Sequence, residues 1–172
     1  HASSPSENIF DQVKLETANF SGRMDNLRSS ILIPQLEELD KKVTQWNKLY
    51  KVLNDNLKKQ NGIFFPNRDS DEYFVGSSIQ FRIDSLNNEQ IKSFINNCKA
   101  RGVELKWFGD EKPVAYTSRY DSWKYLDNIP RLANTLRILA KTFDMRIPLT
   151  FTVQDCNIIS KIIIEELQKV QN

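Results

Sequence analysis

Residues 78–107, SIQFRIDSLNNEQIKSFINNCKARGVELKW, change their hydrophobic period twice. Ser78-Ile79-Gln80-Phe81-Arg82-Ile83-Asp84 alternates apolar with polar, the pattern of a half-buried strand. Ile91, Phe94, Ile95 and Cys98 then fall at i, i+3, i+4 and i+7, one face of a helix that Asn87 or Asn88 can cap. Gly102 closes that helix, and Val103-Glu104-Leu105-Lys106-Trp107 alternates again. The reading is a strand-helix-strand unit with short connections, the commonest way to build an open α/β layer.

Upstream, Asp25 to about Gln60 carries the longest helical pattern. Leu27, Ile31, Leu32, Leu36, Leu39, Val43, Trp46, Tyr50, Leu53 and Leu57 step by three and four. Pro34 lacks an N–H and is expected to kink or split the helix just before it. The stretch after it would run roughly 39 Å at 1.5 Å per residue, ending at Asn61-Gly62. A helix of that length is expected to span two lobes or form an interface. Downstream, Leu132, Leu136, Leu139 and Phe143 predict a further helix, and Arg146–Phe151 a short strand in which Pro148 argues for an edge or a bulge. Thr152-Val153-Gln154-Asp155 has the form of a capping box. The last helix would bury Cys156, Ile159, Ile162 or Ile163, Leu167 and Val170. The fold class is α+β with an α/β small lobe: a long kinked helix leading into a small β-α-β and α-β-α sandwich.

Composition narrows the chemistry. The chain has 172 residues, a formal charge of +2, 40% hydrophobic and 27% charged residues. It can bury roughly 70% of its unfolded surface without disulfides. Near-neutral charge favours neither nucleic acid nor an anionic membrane, and no transmembrane run or signal peptide is visible; the expected location is cytoplasmic. The only histidine is His1, which removes a Ser-His-Asp triad, a Cys-His pair and a multi-histidine metal site. Two cysteines, Cys98 and Cys156, cannot make a structural zinc site alone, and both sit on apolar helix stripes as buried thiols. The five glycines, at 22, 62, 76, 102 and 109, form no phosphate-cradling loop. Lys41, Lys42, Lys48, Lys51, Lys58 and Lys59 alternate with Glu37, Glu38, Asp40 and Asp55, a solvated mixed-charge face.

Two segments could bind a ligand. Tyr116–Tyr125, YTSRYDSWKY, concentrates an arginine and aromatic rings, which suits an anionic, ringed ligand. The competing reading has the aromatics pack the loop down and Arg119 pair with Asp121. Asn19–Asp25, NFSGRMD, precedes the long helix, and backbone N–H groups there with Asn and Arg can hold a phosphate or carboxylate. The competing reading is a simple cap by Ser21 or Asp25 with Arg23 solvated.

Three stretches together resemble one family. Asn19–Arg28 (NFSGRMDNLR) with Ile31–Leu36 (ILIPQL) looks like the Asn-Tyr-Arg-Met … Gln-Leu segment of the DegT/StrS-type aminotransferases. These are pyridoxal-phosphate enzymes that typically aminate keto-sugar nucleotides. Asp144–Phe151 through Asp155-Cys156 looks like their closing strand and last helix, and the unit ending at Trp107-Phe108-Gly109 like the small C-terminal lobe of fold-type I enzymes. The resemblance covers nearly the whole chain. It implies residues 1–22 as a lead-in from a large lobe, 23–61 as an interdomain helix and 62–172 as the small lobe.

The family's Schiff-base lysine lies upstream in a motif followed by glycines, and no lysine here has that setting. The chain begins without a start methionine, which points to a piece of a longer chain; the resemblance implies the C-terminal part of an enzyme, not catalytic alone. Pyridoxal 5'-phosphate would be held mainly by the absent N-terminal part. Asn19 matches the asparagine that reaches a neighbouring subunit's cofactor phosphate across a homodimer, and Arg23 matches the arginine once Ser21-Gly22 is looped out. The family's Pro-x-His element has no counterpart; Thr117-Ser118-Arg119-Tyr120 stands in its place, and Ser118, Arg119 and Tyr120, with Trp123, would face substrate. The implied reaction moves an amino group from a glutamate-type donor to a keto-sugar nucleotide. The alternative from another class is a stand-alone binding domain that uses the 116–125 loop.

Overall fold

The computed structural model describes residues 24–69, 71–112, 121 and 126–171. In chain order these form α1 (Asn26–Glu37), α2 (Leu39–Leu57), β1 (Ile63–Phe64), β2 (Ser78–Ile83), α3 (Asn88–Ala100), β3 (Lys106–Trp107), α4 (Ala133–Leu139), β4 (Thr142–Arg146) and α5 (Val153–Gln171). The sheet order is β1-β2-β4-β3 and every neighbouring pair is antiparallel. β2 and β3 are thus parallel to each other with β4 between them, so the strand-helix-strand unit is split. The result is α+β, with no adjacent parallel strands among the described residues.

The alternation in β2 sends Ile79, Phe81 and Ile83 into the core and Ser78, Gln80 and Arg82 to the other face. On the inner face Phe143 stacks against Phe81 at 5.5 Å and takes the edge of Phe94 at 5.5 Å. α2, α3 and α5 cover that face, contributing Leu49, Leu53 and Leu57, then Ile91 and Phe94, then Ile163 and Leu167, to one cluster. Asn87 caps α3 with a full capping box, accepting from the Gln90 N–H while Gln90 accepts from the Asn87 N–H, both at 2.9 Å. Thr152 and Asp155 form the reciprocal arrangement expected at the start of α5. In α5 both Ile162 and Ile163 are buried, whereas Ile159 and Val170 are half-buried.

Four sequence expectations need correction. The long helix is interrupted at Glu38, one turn after Pro34 rather than just before it; Glu38 has φ −95° and ψ 3°, outside the helical basin. The break marks where core contact begins, since α2 buries Val43, Leu49, Leu53 and Leu57 while α1 buries nothing. The apolar stripe read from Leu27 to Leu39 is therefore exposed, with Leu27 71% and Leu36 65% accessible. The second strand is shorter than Val103–Trp107, because Gly102, at φ +84°, and the Val103 N–H bonding Cys98 O are occupied in turning out of α3. Phe143 belongs to β4 and not to the preceding helix, and the strand expected at 146–151 lies at 142–146. The period-two pattern of Thr142–Arg146 prevails because β2 offers it a complete hydrogen-bonding edge. β4 is an inner strand, and Pro148 lies past its end, where its missing N–H costs no ladder bond.

Candidate functional site

The strand register arranges the sheet face opposite the helices in rows. Phe64, Arg82 and Thr142 form one row, Gln80, Asp144 and Lys106 the next, and Ser78 with Arg146 a third. The Arg82 guanidinium lies 5.5 Å from the Phe64 ring centre, and its Nε is 2.7 Å from Asp84 Oδ1. Lys106 Nζ stands 4.9 Å from the Phe108 ring centre. This face is a polar, mixed-charge surface studded with two phenylalanines.

Past the Lys106–Asp144 pair β3 parts from β4, and the opening widens into a groove of about 800 Å³. Its floor is apolar, made by Ile95, Val103, Leu105, Met145, Phe151 and Ile159. Lys99, Lys106 and Arg146 stand on the rim beside Glu104, Asp110 and Asp144. The volume falls in the range of small-molecule sites. The strand alternation in 78–84 already put Arg82 on an outer face, but the groove depends on where β4 pairs, which no local pattern states.

Trp107 anchors the end of β3. It is buried, and its Nε1 donates to Ala140 O at 3.0 Å, tying β3 to the end of α4. Gly109 passes so close to this contact that a Cβ would meet Trp107 Nε1 at 2.6 Å and Ala140 Cα at 2.8 Å. The residues that follow carry the 116–125 segment singled out from sequence.

Neither thiol is poised for nucleophilic work. Burial pushes the Cys98 thiol up to about 12, with the nearby Glu166 charge adding to it, and burial also raises Cys156. Among the described residues no group of three or more potential ligands could hold a metal ion. The lysines of α2 sit as a solvated face, with Lys51 paired to Asp55 at 2.6 Å and Lys41 to Glu38 at 4.0 Å. No described helix is long and apolar enough to cross a membrane.

One ionic cluster escaped the sequence reading. Glu166 of α5 is buried, and its Oε1 lies 2.7 Å from Arg101 Nη1 and 2.7 Å from Lys169 Nζ. Arg101 also reaches Glu165 at 2.8 Å. The i,i+3 spacing of Glu166 and Lys169 was a visible signal; the partner across from the end of α3 was not.

Asn19, Arg23, Ser118, Arg119, Tyr120 and Trp123 lie outside the described residues. What the structure places is the frame next to them. Asp25, two residues after Arg23, caps α1 by accepting from the Arg28 N–H at 2.8 Å and pairs with the Arg28 guanidinium at 3.2 Å. Of the two caps considered from sequence, Asp25 takes the role.

A two-layer lobe of this kind, one sheet face sheathed by three helices and the other carrying polar residues, has solved counterparts. The solved structure of 3-amino-5-hydroxybenzoic acid synthase superposes with a TM-score of 0.68 at 15% identity, over 90% of this chain and 41% of that one. A DegT DnrJ EryC1 StrS aminotransferase from Brucella abortus superposes with a TM-score of 0.61 at 15% identity, over 82% of this chain and 35% of that one. Among curated proteins no sequence matches. Residues 2–163 match the sequence profile of the DegT/DnrJ/EryC1/StrS aminotransferase family, and the chain belongs to that family. It spans about two fifths of the length of these solved relatives.

The family's cofactor is pyridoxal phosphate, and the residues matched to it by resemblance, Asn19 and Arg23, are outside the described residues.

Proposed function

We propose that this chain is the C-terminal part of a pyridoxal-phosphate aminotransferase that moves an amino group from a glutamate-type donor to a keto-sugar nucleotide. The observation that carries the reading is the family match across residues 2–163. In it, residues 1–22 lead in from the large lobe, 23–61 connect the lobes and 62–172 form the small lobe. The cofactor supplies the electron sink for amino transfer, and its lysine belongs to the large lobe. Asn19 and Arg23 would contact its phosphate across a homodimer, while Ser118, Arg119, Tyr120 and Trp123 would face the sugar nucleotide. The exposed apolar surface of α1, from Leu27 to Leu36, is the surface on which the large lobe would seat. Without that lobe the chain is inactive, and the complete enzyme works in the cytoplasm.

The coding sequence ahead of codon 1 tests this. A preceding reading frame with a lysine followed by glycines is expected, and joining it to this chain should produce a protein that retains pyridoxal phosphate through gel filtration. A start codon at or just ahead of His1 overturns the proposal in favour of a stand-alone binding domain that uses the 116–125 loop.

A further inference from the structure

We draw no further inference here: the strongest candidate, the apolar-floored groove where β3 parts from β4, carries three cations and three carboxylates on its rim, so nothing in the structure shows what covers it.

Discussion

Glu166 is held inside the fold by Lys169 and Arg101, whose hydrogen bonds keep its carboxyl below the ordinary value of 4.5. A carboxylate depressed in this way stabilises the folded state fully above its unfolded pKa, and the contribution is lost as pH falls through the lower, folded value. Asp155, lowered from 3.8 by its bonds from Thr152, acts with the same sign. The variant Glu166→Gln should therefore melt several degrees lower at pH 7 and lose less of its remaining stability between roughly pH 5 and pH 3. Thermal melts across that range measure both effects, and parallel acid limbs for the two proteins would contradict this account. Gly109 makes a second residue-scale prediction. The Cβ of Gly109→Ala has no room beside Trp107 and Ala140, and overpacking of that kind costs about 1–3 kcal/mol, read from urea unfolding. The glycine itself was visible in the sequence. Its reason was not, because Ala140 approaches from far along the chain.

At the scale of elements, the helices differ in what holds them. α3 begins with a capping box and buries Ile91, Phe94 and Cys98. Asn87→Ala removes the side-chain acceptor for the Gln90 N–H and should lower stability by about 1 kcal/mol in chemical denaturation. α1 has a side-chain cap from Asp25 and no buried residue. Isolated helices of this length are marginal in water, and an exposed apolar surface invites association. The triple variant Leu27→Ser, Ile31→Ser, Leu36→Ser should change the urea midpoint little, at most about 0.5 kcal/mol per site, while lowering light scattering in concentrated solution. A large stability loss would mean that α1 packs within this chain. The helical period of α1 was legible in its residues, and so was that of α2. The difference in burial was not, since the same stepping of leucines describes a helix with a partner and one without.

For the molecule as a whole, Phe143 is the point at which the layers meet: it is fully buried, stacked on Phe81 of β2 and edged by Phe94 of α3. Phe143→Ala should cost about 3–5 kcal/mol and lower the denaturant midpoint accordingly. This residue also shows where local reading fails. Its spacing from Leu132, Leu136 and Leu139 suits a helix, and its neighbours Thr142 and Asp144 suit a strand. β2 decides, by presenting partners from Ser78 to Arg82.

By itself the sequence determined the α+β class, the cores of β2, α3 and α5, the capping box at Thr152–Asp155, the buried thiols and the family, because each rests on local periodicity, short-range side-chain bonds or a motif. Only the tertiary structure decided that β4 enters between β2 and β3, that the polar face carries Arg82, Asp144, Lys106 and Arg146 in register, and that among the described residues α1 buries no side chain. The physical reason is that strand order and burial depend on pairing between segments distant along the chain, which hydrophobic spacing within any one of them does not encode.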